Sequence, residues 1–188
     1  MVQGMSFELN EEMLNLIGKE FSIDEIVEAF DRGISDKSSE VFDDFSKKVF
    51  TRYGVDWIRR SLQLGEEYPD RTYEVLREAN DSTGGSYKFP LVPQRFLEIA
   101  YLSTQDIEFL PVFENNPRKL VYRIENCLMY KELSEKCGKQ IAETLPCRYA
   151  CLSACRTLFE DLDLPGIVVD MEAHSNEDGY CEFSIKRI

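Results

Sequence analysis

The fold is decided by residues 145–188, LPCRYACLSACRTLFEDLDLPGIVVDMEAHSNEDGYCEFSIKRI. The segment 147–163 has the periodicity of an amphipathic helix, and Pro146 stands directly before it. Apolar and polar residues alternate over 167–171 and again over 181–185, which is typical of half-buried strands. The stretch therefore predicts a helix followed by a terminal β-hairpin.

The preceding residues extend this pattern. Residues 119–126 alternate and predict a strand, and 107–113 predict another, which Pro111 restricts to an edge or bulged position. A helix is predicted over 128–138, and a loop leading into a short helix over 89–102. The order of strand, strand, helix, helix, strand, strand favours an α+β fold, an antiparallel sheet with helices packed on one face.

The N-terminal half is predicted to be helical. A first amphipathic segment ends near Phe21, and Ser22-Ile23-Asp24-Glu25 has the capping-box pattern that begins a helix. Further helices are predicted over 41–53, 57–65 and 70–80, with Gly54 separating the first two. The sequence DSTGGS at 81–86 reads as a linker. We therefore predict an N-terminal helical segment over 1–85 and an α+β domain over 86–188.

Composition excludes several classes of function. The formal net charge of −13 opposes binding to nucleic acid or to an anionic membrane surface, since both require clusters of Lys and Arg. No run of 18 apolar residues is present, and the N-terminus lacks the pattern of a signal peptide. We expect a cytoplasmic protein in which the six cysteines are thiols or metal ligands rather than disulfides.

The cysteines allow two interpretations. Cys147, Cys151 and Cys155 share one helical face, and buried thiols often serve only as small apolar packing groups. Cys147, however, lies at a helix N-terminus, where a thiolate is stabilised. Cys127 lies at a strand-to-helix junction, where it could line a pocket, and Cys181 begins the last strand.

A metal site is one hypothesis for the terminal hairpin. Glu172 and His174 share a side of their strand if the alternation continues to its end, and Cys181 opposes them across a short turn. Together with Cys147 these are four donors of the kind that zinc takes. The spacing is not that of a CxxC knuckle, and the rival interpretation is packing thiols with a surface histidine. Phosphate-loop, dinucleotide-binding, HExxH and GxSxG motifs are absent from the sequence.

The run Leu145-Pro146-Cys147-Arg148-Tyr149, then 167–172, then Gly179-Tyr180-Cys181-Glu182-Phe183, resembles the 4-vinyl reductase (hydrocarbon-binding) domain. The segment Ile124-Glu125-Asn126-Cys127 is similar to the family of L-2-amino-thiazoline-4-carboxylic acid hydrolase. The first resemblance implies a homodimeric ligand-binding domain with an apolar pocket beneath a zinc-anchored hairpin. By position it implies Cys147, Glu172 and Cys181 as zinc ligands, with His174 near the place of a missing cysteine.

Three functions follow from these observations. The preferred one is a sensor or carrier that binds a small apolar or aromatic molecule, with candidate lining from Trp57, Phe96, Tyr101, Phe109, Tyr122 and Cys127. The alternative is a hydrolase of the thiazoline type that uses Cys147 or a metal-bound water. The third is an adaptor that works by protein contact, which rests on fold analogy alone.

Overall fold

The computed structural model describes residues 7–34, 39–82 and 89–188. Its helices are α1 Glu11–Glu20, α2 Ile23–Ile34, α3 Ser39–Glu67, α4 Arg71–Ser82, α5 Leu91–Thr104, α6 Leu128–Cys137, α7 Lys139–Thr144, α8 Arg148–Asp161 and α9 Ser175–Asp178. Its strands are β1 Val112–Asn116, β2 Lys119–Glu125, β3 Ile167–Ala173 and β4 Tyr180–Arg187.

The strands form one antiparallel sheet in the order β1-β2-β4-β3. Strands β2 and β4 are central, and their register places Tyr122 opposite Phe183 and Ile124 opposite Cys181. All four side chains are buried, because alternate residues of a strand point to the same face and helices cover that face. The predicted α+β fold, with an antiparallel sheet and a preceding helical segment, is confirmed.

The first strand begins later than the sequence predicts. The prediction covered 107–113, whereas β1 begins at Val112. Pro111 has no N–H to donate to a ladder, and only its carbonyl contributes, accepting from the backbone N–H of Arg123 at 3.0 Å. Phe109 lies before the strand and is exposed.

The N-terminal helices begin where side chains can cap them. The Asn10 side chain accepts from the backbone N–H groups of Glu12 at 2.9 Å and Met13 at 3.1 Å, which fixes the start of α1. At the predicted capping box, Ser22 Oγ accepts from the N–H of Asp24 at 3.3 Å. These caps satisfy N–H groups that have no partner within the helix.

Helix α3 is continuous over 29 residues, so the predicted break at Gly54 is wrong. A Cβ atom on Gly54 would lie 1.9 Å from the carbonyl oxygen of Ala150 and 2.3 Å from Ser153 Oγ, both on α8. The glycine therefore permits two helices to approach closely instead of ending one. A glycine inside a helix costs only about 1 kcal/mol relative to alanine, which packing readily offsets.

Helix α5 is longer and more buried than predicted for residues 89–102, where we expected a loop leading into a short helix. It has 14 residues, of which nine consecutive ones, from Pro93 to Tyr101, are buried. The polar residues among them obscure the apolar pattern, yet they are paired. Arg95 Nε donates to Asp70 at 3.1 Å, and Gln94 donates to Glu98 at 2.8 Å.

The N-terminal helices and the sheet share their apolar core. One cluster joins Met13, Trp57 and Ile58 of the first half to Phe96 and Phe183 of the second. The proposed linker at 81–86 lies largely outside the described residues, and the division at residue 85 stays a prediction. None of the helices in the described ranges is long and apolar enough to cross a membrane.

Candidate functional site

A small apolar cavity lies where the terminal hairpin meets the start of α8. Helices α3 and α5 and the β2–α6 junction complete its wall. Aromatic and sulphur-containing side chains form most of its lining: Tyr53, Trp57, Tyr101, Phe183, Cys127, Cys147, Cys151, Cys181, Met129 and Met171. The two halves of the chain thus both contribute to it.

The cavity is narrow in this conformation. About 20 Å³ is open to the centre of a water-sized sphere, which is room for about one water molecule. A larger ligand requires movement of the wall. Met171 and His174 are only partly buried, and both also border a wider cleft on the outside of the protein.

Cys147 and His174 come into contact at the cavity wall. Cys147 Sγ lies 3.4 Å from His174 Nε2, and the other ring nitrogen, Nδ1, is hydrogen-bonded to Asn176 Oδ1. Asn176 Nδ2 in turn donates to the carbonyl of Glu143 at 3.4 Å. Cys147 is the N-cap residue of α8 and is 6% exposed. The thiol therefore has an ordered imidazole beside it.

A β-bulge explains why His174 faces inward. Met171 pairs with Phe183, but the next pair is Ala173 with Glu182, so Glu172 is an extra residue. After the bulge the side chains reverse their alternation, and His174 joins Met171 on the cavity side. Glu172 is exposed and lies 3.5 Å from Lys186, with which it forms an ion pair. The assumption of unbroken alternation, under which Glu172 and His174 share a side, is therefore wrong.

Two further thiols have partners of their own. Cys181 Sγ lies 3.1 Å from Ser175 Oγ, within the single helical turn of α9 that occupies the predicted short turn. Cys155 lies below the cavity, where its sulphur is 3.1 Å from the Tyr122 hydroxyl. All six cysteines are thiols outside any disulfide, as predicted.

Burial keeps these thiols protonated at neutral pH. It raises the pKa of Cys127 to about 12 and that of Cys155 to about 11. It also raises the pKa of Cys147 well above its usual range. The neighbouring sulphurs of Cys127 and Cys181 raise the pKa of Cys147 further, since thiolates close together repel one another.

The structure places some of the predicted ligand-binding residues at the cavity and others away from it. Trp57, Tyr101 and Cys127 line the cavity. Tyr122 lies one layer deeper, with its hydroxyl 3.4 Å from that of Tyr101. The other two are elsewhere: Phe96 is fully buried in the core, near Gly65, and Phe109 is 61% exposed at the surface.

The four predicted zinc ligands do not all lie at one place. Cys147, His174 and Cys181 border the same cavity, whereas Glu172 points to the other face of the sheet. In the part of the chain that the structure describes, no three His, Cys, Asp or Glu side chains are arranged to hold a metal ion. The four-ligand set does not fit this arrangement, and zinc binding stays a prediction.

A polar cleft lies outside the cavity and shares Arg148, Met171 and His174 with it. The cleft has a volume of about 840 Å³. Its basic side chains are Lys47, Arg148 and Arg156, and its acidic ones include Asp170, Glu172, Glu177 and Asp178. A molecule that straddles the wall would have its apolar part inside and its polar part in this cleft.

Sequence reasoning missed Asn176, Arg148 and Cys151 as site residues. Asn176 carries no sequence signal beyond its position two residues after the only histidine. The sequence favours Cys151 as a packing thiol, and only the orientation of the helix shows that it lines the cavity.

Comparisons of the chain with family models, with curated proteins and with solved structures found no match.

Proposed function

We propose that the protein is a sensor or carrier that binds a small, mainly apolar molecule in the cavity beneath the terminal hairpin. The observation that carries this proposal is the cavity itself, whose lining is mostly aromatic and sulphur-containing. Such lining, with a few fixed polar groups, is characteristic of small-molecule sites.

One buried polar group favours a ligand with a hydrogen-bond acceptor. Trp57 lines the cavity and is 3% exposed, yet its indole N–H has no partner among the described residues. An unpaired buried donor costs roughly 1–3 kcal/mol, and a ligand oxygen placed beside it would recover part of that energy. The preferred ligand is therefore apolar with one acceptor oxygen.

Access to the cavity requires movement of its outer wall. Arg148, Met171 and His174 separate the cavity from the cleft, and none of the three is fully buried. A change in their side-chain positions would enlarge the cavity without disturbing the core beneath. Zinc binding and a homodimer, both implied by the family resemblance, remain proposals alongside this one.

Tryptophan fluorescence provides a direct test, because Trp57 is the only tryptophan. Cyclohexanol is a suitable probe, since it is apolar, carries one oxygen and does not emit in this range. We expect a saturable change in Trp57 emission on titration. A change that rises linearly with cyclohexanol concentration would contradict a defined site.

A matched pair of substitutions separates cavity binding from general solvent effects. Cys151→Met places a larger side chain in the cavity wall and should abolish the saturable response. Cys137→Met makes the same change at the end of α6, away from the cavity lining, and should leave the response unchanged. Equal responses in both variants would place the probe elsewhere.

A further inference from the structure

The hydrogen bonds around His174 determine which ring nitrogen carries its proton. Asn176 Nδ2 donates to the Glu143 carbonyl, so Asn176 Oδ1 remains as the acceptor for His174. His174 Nδ1 therefore carries the proton, and Nε2 presents a lone pair to Cys147 Sγ at 3.4 Å. The thiol is the donor in that contact.

We propose that Cys147, His174 and Asn176 form a nucleophilic acyl-transfer site, which accepts a short acyl group from an ester or a thioester. Cys147 is the nucleophile, His174 the general base, and Asn176 a positioning residue that holds the imidazole in the required tautomer. A thiol, an imidazole and an amide in this order constitute a recurrent arrangement for acyl chemistry.

The reaction balances without an oxidant or a metal. As Cys147 Sγ bonds to the acyl carbon, its proton passes to His174 Nε2, and the bond from the acyl carbon to the leaving oxygen or sulphur breaks. His174 then gives that proton to the leaving group. Water hydrolyses the resulting thioester by the same route in reverse, with His174 accepting a proton from water and returning it to Cys147.

Burial determines how the thiol is activated. The pKa of Cys147 is raised by its surroundings, and the charge of Arg148 only partly opposes that effect. Little thiolate exists before the substrate arrives, so the proton must move as the new bond forms. A base in contact with the sulphur is then essential, and His174 is in that position.

The surroundings indicate the size and polarity of the substrate. The cavity beside Cys147 has room for about one water molecule, so a group as small as acetyl requires the least displacement of the wall. The indole N–H of Trp57, which has no partner in the part of the chain that the structure describes, lines the same cavity and is available to an acyl oxygen. The leaving group would occupy the polar cleft, near Arg148 and Arg156.

Acetylation of the full-length protein by p-nitrophenyl acetate tests the proposal. We expect a burst of p-nitrophenolate, one acetyl group per chain by intact mass, and its location on Cys147 by peptide mapping. Cys147→Ala should lose the burst. His174→Ala should slow it by roughly 100-fold or more, as loss of a general base does.

Two further variants distinguish catalysis from a structural effect. Asn176→Ala should slow the burst, and Asn176→Asp should restore it, because a carboxylate also accepts from Nδ1–H. Cys137→Ser, away from the site, should react like the original protein. An unchanged burst in folded His174→Ala, or acetyl groups spread over lysines and other cysteines, would overturn the proposal.

The acyl pocket in this inference rests on the proposed binding cavity, and the two are separable. One possible result is that p-nitrophenyl acetate fails to acetylate Cys147 of the original protein, while the Trp57 response to cyclohexanol is saturable and persists in His174→Ala. The binding cavity would then stand, and the acyl-transfer site would be wrong. If acetylation of Cys147 occurs without a saturable cyclohexanol response, the nucleophile stands and the proposed binding function is wrong.

Discussion

Gly54 of α3 lies directly against the backbone carbonyl of Ala150 on α8, with no room for a Cβ atom between them. Gly54→Ala should therefore force the two helices apart and lower the free energy of unfolding by about 2 kcal/mol or more. This loss should outweigh the small gain in helix stability that alanine usually gives when it replaces a helical glycine. Urea denaturation measures the loss. Lys48→Ala, at an exposed position on the same helix, should change stability by less than about 0.5 kcal/mol.

Phe183 stacks on Tyr122, with ring centroids 4.9 Å apart and an interplanar angle of 15°. Phe183 is 0% exposed, so Phe183→Ala should destabilise the fold by about 3–5 kcal/mol through lost burial and a new cavity. The matched control is Phe109→Ala at the exposed position before β1, where we expect almost no loss. Similar losses at both sites would contradict the structure.

The ion pair between Arg95 and Asp70 is buried, with side chains 0% and 5% exposed. Asp70→Asn should cost about 3–5 kcal/mol, because the buried Arg95 would lose the carboxylate charge to which its Nε donates. Asp161→Asn removes the partner of Arg59 in a more exposed pair and should cost less than about 1 kcal/mol. Thermal and urea unfolding of both variants would test the difference.

Glu98 makes stability depend on pH. Burial raises its pKa from 4.5 to about 7, while the hydrogen bond from Gln94 lowers it and the charge of Asp70 raises it. Between these values the folded state holds a proton that the unfolded state has released, so stability falls as pH rises through this window. The loss is at most about 3 kcal/mol.

Glu98→Gln removes the titrating group and should remove this part of the pH dependence. The free energy of unfolding of the variant minus that of the original protein should be larger at about pH 8 than at about pH 5. Urea midpoints at several pH values measure the difference. A constant difference between the two proteins across that range would mean that Glu98 titrates normally in the fold.

Much of the fold was predictable because local patterns agree with the tertiary structure. The alternation over 119–126 predicts β2, and the capping residue Ser22 predicts the start of α2. The predictions were wrong where tertiary contacts determine whether a helix continues or how deeply it is buried. Gly54 continues a helix because α8 lies against it, and α5 is buried despite the polar residue Arg95, whose partner is 25 positions away.

The candidate site was partly predictable. The position of Cys147 at a helix N-terminus and of Cys181 opposite His174 followed from spacing alone, and the structure places all three residues at one cavity. The direction of Glu172 did not follow, since an alternating pattern gives no sign of an extra residue. Asn176 was also beyond sequence reasoning, because its role depends on a hydrogen bond to an imidazole and not on a motif.

The bulge in β3 makes the chemistry of the cavity mouth depend on how the strand pairs, as well as on which residues line the cavity. Between Met171 and His174 stand two residues, and a regular ladder through both of them would turn the imidazole of His174 to the outer face of the sheet, away from Cys147. Deleting Glu172 alone would restore a regular ladder and leave His174 facing the cavity, because Met171, Ala173 and His174 would then alternate. A chain with the same residues but without the bulge would therefore retain the pocket and lose the base.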